Sequence, residues 1–128
     1  GAERRWLDGT GVVKPVSTGI PGDGDWDAAY GRLTWTPDEG WQAQIVRVAY
    51  DRAAAERDYF TSGFMDGAGP EAELSLVQFR MVSDVRTRWS AVYRDRILRG
   101  EISVAESVRE WLSRGEFHGF TLADRGPE

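Results

Sequence analysis

The first candidate for chemistry in this 128-residue chain is an acidic run, Asp23-Gly-Asp25-Trp-Asp27, with carboxylates at alternate positions. Carboxylates spaced in this way can converge on a hard cation such as Ca²⁺. The residues that follow do not complete a calcium-binding loop, because Ala28 stands where the sharp-turn glycine is needed and Thr34 where the bidentate glutamate belongs. We therefore expect the three aspartates to accept hydrogen bonds from backbone amides at turns.

The sequence offers few residues for imidazole or thiolate chemistry. The chain has no cysteine, which excludes disulfides, thiolate metal sites and cysteine nucleophiles, and it has one histidine, His118. One imidazole beside Phe117 is too little for most metal sites, and we expect it to be a packing residue. No histidine lies close in sequence to Ser17 or Ser62, so the sequence indicates no catalytic serine.

Basic residues are concentrated in one later stretch, residues 80–99. A surface that binds phosphate or nucleic acid would place its cations on one helical face, whereas these scatter around the axis with Asp84 and Asp95 among them. The formal net charge of −5 also argues against a nucleic-acid partner. We expect a solvated face with ion pairs within the helix. The arginines are Arg80, Arg86, Arg88, Arg94, Arg96 and Arg99.

These residues must be positioned by a strand-rich first part, residues 1–50. Its aromatic and β-branched stretches predict strands, and residues 36–40 predict a hairpin loop between the last two. The apolar face of the last strand switches after Ile45, which predicts either a bulge or coverage of both faces, and we favour coverage by helices. The predicted strands span residues 4–8, 12–16, 29–36 and 41–50.

The stretch 12–30, which contains the acidic run, is predicted to be a structured loop between two strands. Pro15 and Pro21 each remove a backbone donor, and the glycines permit positive φ angles. Loops held between strands often carry binding and catalytic residues. We therefore expect functional residues in this segment before any other part of the chain.

Helical signals fill residues 51–122. Asp51 is a candidate N-cap for the first helix. Residues 71–99 predict a long helix that is packed on both sides or kinked. The sequence Ser103-Val-Ala-Glu106 is a capping box, with serine first and glutamate three residues later, and it predicts a final helix that ends at Gly115.

Strands precede helices without an internal repeat, and this order predicts an α+β fold, an antiparallel hairpin or small sheet with C-terminal helices. Residues 1–128 are expected to form one domain or part of one. Residues 117–122 predict a short strand or a packed tail, and residues 123–128 are expected to fray.

No apolar run reaches membrane-spanning length and no signal peptide opens the chain, so we expect a cytoplasmic protein without a membrane partner.

Part of the chain resembles a known family. The segment Lys14-Pro-Val-Ser17-Thr-Gly19-Ile-Pro21-Gly-Asp23-Gly24-Asp25, with Ala28-Ala29-Tyr30 and Leu33 after it, resembles the C-terminal part of bacterial calcineurin-like metallophosphoesterases. In that family an Asn-Pro-Gly-Ser-x-Gly turn precedes a Pro-x-Asp-Gly-Asp loop and an Ala-x-Tyr-x-x-Leu strand. The resemblance covers residues 9–65, and Lys14 and Val16 depart from the pattern of the turn.

The resemblance implies a portion of an α/β/β/α sandwich. The histidine-bearing motifs that build the family's dimetal centre lie before the turn, and they do not occur in this chain. Phosphoester hydrolysis is therefore implied only when an N-terminal part of the same protein, or a separate complementary chain, completes the fold. Manganese, iron or a similar divalent metal is implied for that completed enzyme alone, and we expect no cofactor or metal ligand in this chain.

Within such an enzyme, the resemblance implies that Ser17, Gly19, Asp23 and Asp25 lie in a loop at the active-site rim, with no catalytic residue among them. A second hypothesis is a stand-alone, non-catalytic α+β binding or interaction module. A missing half predicts an exposed apolar patch of several hundred Å² on the hairpin face. A cooperative, monodisperse monomer would instead favour the module.

Overall fold

The structure is a computed structural model, and it describes residues 3–124. Strands come first and helices follow, so the protein is α+β, as the sequence predicts. None of the helices between residues 3 and 124 combines the length and the hydropathy that a membrane span requires. The strands are β1 (Glu3–Leu7), β2 (Thr10–Lys14), β3 (Ala28–Thr36) and β4 (Gly40–Val48), and the helices are α1 (Arg52–Thr61), α2 (Phe64–Gly67), α3 (Ala72–Met81), α4 (Arg86–Leu98) and α5 (Val104–Leu112). Short 3₁₀ turns lie at Gly69–Glu71, Gly115–Phe117 and Leu122–Asp124.

The four strands form two separate antiparallel hairpins. In the first, Asp8 and Gly9 connect β1 to β2 with φ angles of 48° and 78°. Two central residues with positive φ match the twist of the flanking strands, which is why Asp-Gly is favoured there. In the second hairpin, Thr36 pairs with Gly40, so the turn has three residues rather than the five predicted.

Helices do not cover these hairpins, contrary to the sequence-based prediction. Ala29 is the only buried residue in the four strands. The β3–β4 pairing also runs without interruption past Ile45, which lies opposite Gly31, so there is no bulge. At the switch of the apolar face, Ile45 and Val46 are only partly buried, and Trp41 and Val48 on either side of them are exposed.

The core is built almost entirely by helices. Helix α5 presents Val108, Trp111 and Leu112 on one buried face, the i, i+3, i+4 spacing of an amphipathic helix. The Trp111 ring packs edge-on against Tyr93, at 6.2 Å between centroids, and lies 5.5 Å from Phe117. The buried cluster comprises Leu74, Val77, Val85, Trp89, Tyr93, Val108, Trp111, Leu112 and Phe117.

The predicted long helix is two helices, α3 and α4, because the chain turns at Val82. This residue is left-handed, with φ of 56°. The Oε1 atom of Gln78 accepts from the backbone amides of Val85 and Arg86, and Asp84 Oδ1 accepts from that of Thr87. Side chains that satisfy the first amides of α4 in this way stabilise a new helix start over a continuous helix.

The C-terminal segment is a packed tail rather than a strand, with Phe117 and Thr121 buried. Residues 123 and 124 belong to a 3₁₀ turn, and the remainder of the tail that was expected to fray lies outside the described residues. His118 is not a packing residue. Its side chain is 80% exposed, and its Nδ1 atom lies 3.3 Å from a carboxylate oxygen of Asp124.

The capping box of α5 is confirmed and gives a direct stability test. Ser103 Oγ accepts from the Glu106 amide at 3.1 Å, and the Glu106 carboxylate accepts from the Ser103 amide at 3.0 Å. We expect Ser103→Ala to lower the free energy of unfolding by about 1 kcal/mol, because one amide loses its acceptor. Urea denaturation followed by circular dichroism measures this loss. Ser113→Ala, at the C-terminal end of α5, is the matched control, and an equal effect at both ends would contradict the capping role.

Candidate functional site

The segment expected to carry function, residues 17–27, is a tightly bonded loop between β2 and β3, and we call it the aspartate loop. Ser17 closes its base. The Ser17 hydroxyl accepts from the amides of Gly19 and Ile20, at 3.2 and 2.9 Å, and its carbonyl accepts from the Ala29 amide at 2.9 Å. The hydroxyl is thus a structural acceptor within the loop.

The aspartates of the loop surround a cation, and that cation is the guanidinium of Arg47 on β4. Arg47 Nη2 lies 2.7 Å from Asp23 Oδ2, and Nε lies 3.5 Å from Asp25 Oδ2. Arg47 Nη1 donates to the backbone carbonyl of Asp27 at 3.3 Å. The carboxylates also accept from the amides two residues later, Asp23 from Asp25 and Asp25 from Asp27, as the sequence predicts.

The protonation states of this pair follow from their contact. Hydrogen bonding to the Arg47 guanidinium, assisted by the Asp25 amide, holds the pKa of Asp23 below its usual value. The same hydrogen bond raises the pKa of Arg47. Asp23 therefore stays ionised and paired at neutral pH, which suits a structural anchor rather than a general acid.

A second set of contacts fixes the aspartate loop to the helices. The Gly24 amide donates to the carbonyl of Val82 at 2.9 Å, and Asp23 forms an isolated antiparallel bridge with Ser83. Positive φ is unusual for a β-branched residue, and at Val82 it occurs where this carbonyl meets the loop. The Trp26 ring lies 3.4 Å from the guanidinium carbon of Arg52.

Beside the loop, a polar groove runs along the junction of α3 and α4. It consists of two adjoining cavities of about 490 and 410 Å³ that share Ile20, Gln78, Asp84 and Thr87 in their linings. Ser17 lines one of them, together with Lys14. Of the four residues predicted at the rim, only Ser17 reaches this groove. Asp23 and Asp25 face Arg47, and Gly19 is exposed in the turn.

A mainly apolar cavity lies between the two hairpins, and we call it the hairpin cleft. Its volume is about 400 Å³, and its apolar lining includes Trp6, Val13, Leu33, Trp41 and Ala43. Three of these side chains are strongly exposed, Trp6 at 77%, Trp41 at 70% and Leu33 at 61%. The cleft is therefore an apolar surface left open to solvent.

The arginine-rich stretch serves mainly in pairs between elements, not within one helix as predicted. Arg80, with a side chain only 6% exposed, pairs with Glu56 of α1 at 2.6 Å. Arg88 pairs with Glu116 at 2.9 Å. These contacts tie helices and turns to one another. The sequence pattern could not indicate this, because the acidic partners lie 24 and 28 residues away.

Comparison with known proteins gives no relative from which a function can be transferred. No protein-family model matches the chain, and neither a curated protein nor a solved structure matches it.

The role of Arg47 can be tested through the titration of Asp23. We expect Arg47→Gln to raise the pKa of Asp23 toward the ordinary value near 3.9, because the main stabiliser of the carboxylate is removed. Side-chain carboxyl NMR over an acid titration measures it. Arg94→Gln, on the exposed surface of α4, is the control. An unchanged Asp23 pKa in Arg47→Gln would contradict the pairing.

The lowered pKa of Asp23 also predicts how the aspartate loop responds to acid. Because the pKa of Asp23 is lowered on folding, its stabilising effect is complete above its unfolded pKa and is lost as pH falls through the lowered value. We expect the hydrogen-exchange protection factor of the Gly24 amide to fall in that acidic range. In Asp23→Asn the factor should be low and independent of pH there, and a wild-type-like fall in this variant would contradict the assignment.

Proposed function

We propose that this chain is the C-terminal segment of a metallophosphoesterase-like hydrolase, active on phosphoesters only when a metal-binding N-terminal part completes the fold. The proposal starts from the resemblance of residues 9–65 to the family. In the completed protein, the hairpins would add strands to a sandwich, and α3 to α5 would form one of its covering layers.

The observation that carries the proposal is the unfinished packing of the hairpins. Two-stranded hairpins are marginal in water unless a face is packed against another element. Here the β3–β4 face that carries Leu33, Trp35 and Trp41 leaves all three side chains more than half exposed. An exposed apolar surface of this kind marks an interaction site. It is what a chain that lacks its packing partner would present.

The aspartate loop has a supporting role in this proposal. Arg47 and the Val82 carbonyl fix it firmly, so it could shape access to a neighbouring active site. Ser17 and Lys14 at the adjoining groove are the residues of this chain best placed to meet a polar substrate group there.

The metal ions and their ligands would have to be supplied by the N-terminal part that completes the fold. Two divalent cations that activate a water molecule are what the family implies, and they need several carboxylate and imidazole ligands. The described residues contain no group of three or more His, Asp or Glu side chains that could hold a metal ion. The residues present therefore do not fit a dimetal site, and no step of hydrolysis is assigned to them.

A stand-alone interaction module is the second candidate function, and one observation favours it. The helical part has a closed aromatic core around Trp111, so it does not need another part for its own packing. In that case the hairpin cleft would be the binding surface itself, with Trp6 and Trp41 at its walls.

The proposal predicts complementation. We expect the 128-residue chain alone, with excess Mn²⁺ or Fe²⁺, to leave bis(p-nitrophenyl) phosphate unhydrolysed. Co-expression with the polypeptide encoded immediately upstream of Gly1 should give a complex that hydrolyses it, because the metal ligands and the cover for the hairpins arrive together. Release of p-nitrophenol and co-purification on a single tag are the two measurements.

Two variants make the test specific. Trp41→Ser, in the cleft, should weaken co-purification and activity together, whereas Leu98→Ser, at an equally exposed apolar position on α4, should change neither. Hydrolysis by the 128-residue chain alone would contradict the proposal. Failure of the upstream polypeptide to bind, with a chain that unfolds cooperatively as a monomer, would favour the interaction module.

A further inference from the structure

The hairpin cleft is basic as well as apolar. The charged residues in its lining are two arginines, Arg4 and Arg5. Arg5 pairs with Glu3 at 2.9 Å. Arg4 forms no ion pair with any carboxylate of the described residues, and it lines the cleft together with Trp6 and Trp41. An occupant that suits it would bring apolar or aromatic surface with a carboxylate next to it.

The exposed apolar area around the cleft is large enough for a macromolecule. With roughly 200 Å² for a fully exposed aromatic side chain, Trp6, Trp35, Trp41 and their neighbours expose on the order of 600 Å². One side of a standard protein interface buries about 800 Å² in total, polar atoms included. A small molecule that filled only the cleft would leave Trp35, 56% exposed and outside the lining, uncovered.

The tip of the β3–β4 hairpin has the aromatic and acidic surface that would suit the cleft. At the tip of the second hairpin, Trp35 pairs across the strands with Trp41, and the turn between them contains Asp38 and Glu39. Neither carboxylate forms an ion pair within residues 3–124. Because Trp41 belongs both to this tip and to the lining of the cleft, the aromatic, acidic tip adjoins the aromatic, basic cleft.

We infer that a second copy of this chain occupies the hairpin cleft in the isolated protein, with the β3–β4 tip of each copy packed into the cleft of the other. A surface that carries both a tip and a cleft is self-complementary, which is the requirement of a two-fold dimer. Trp35 of one copy covers apolar side chains in the cleft of the other. Asp38 and Glu39 face the partner's Arg4 and Arg5.

Charge reversal tests this arrangement, because it distinguishes a second copy from every other occupant. We expect sedimentation equilibrium of the 128-residue chain to give twice the 14.3 kDa mass of one chain. The double variant Arg4→Glu/Arg5→Glu should dimerise roughly tenfold or more weakly, since like charges then face one another at both contacts. The double variant Asp38→Arg/Glu39→Arg should be weakened in the same way.

Mixing the two variants is the decisive step. Each contact of the mixed dimer again joins opposite charges, so the mixture should recover the wild-type dissociation constant within about twofold. Leu98→Ser is the control for a surface apolar change elsewhere and should leave dimerisation unaltered. Circular dichroism of each variant verifies that the helices are folded, and recovery on mixing cannot come from a chain that has failed to fold.

Two outcomes would overturn the inference. One is a wild-type chain that stays monomeric at about 100 μM, a concentration well above the micromolar dissociation constants of weak interfaces. The chain would stay monomeric if a small molecule or another protein were the occupant of the cleft. The other is a dimer that neither charge reversal weakens. The inference does not rest on the proposed hydrolase. It is measured without metal, substrate or upstream polypeptide, so failure of complementation leaves it standing and failure to dimerise leaves the hydrolase proposal standing.

Discussion

The packing of Trp111 between Tyr93 and Phe117 closes a core to which the strands contribute almost nothing. Apolar burial is the main source of folding free energy, so the helices are stabilised by their own contacts while the hairpins are not. The two hairpins leave Trp6, Leu33, Trp35 and Trp41 in water. The proposed role of the hairpins as an interaction surface follows from this imbalance, because a surface that folding leaves uncovered is available to a partner.

Polar contacts link the β3–β4 hairpin to the aspartate loop and that loop to the helices. Arg47 joins β4 to the aspartate loop, and the Val82 carbonyl joins that loop to the α3–α4 junction. Paired charges and backbone hydrogen bonds fix orientation well but add little net stability, because both are solvated when the chain is unfolded. The aspartate loop is thus a connector that sets where the hairpin cleft and the polar groove lie.

Local signals in the sequence predicted local structure. The capping box at Ser103, the Asp51 N-cap and the aspartates that bond to nearby amides are confirmed, because each depends on residues within three positions. Features set by distant partners were missed. The counter-ion of Asp23 is 24 residues away, and the helix break at Val82 depends on Gln78 reaching the start of the next helix. Coverage of the hairpins by helices was wrongly expected, since an apolar face in the sequence does not indicate which element, if any of this chain, packs against it.

The central claim is that the helices fold as a unit while the hairpins depend on a partner. Amide hydrogen exchange on the 128-residue chain, kept dilute enough to be monomeric, tests it most directly. The account predicts that amides of α3 to α5 exchange only through global unfolding, whereas those paired between β3 and β4 exchange through a local opening of much lower free energy. Hairpin amides as strongly protected as those of α5 in the monomer would contradict it.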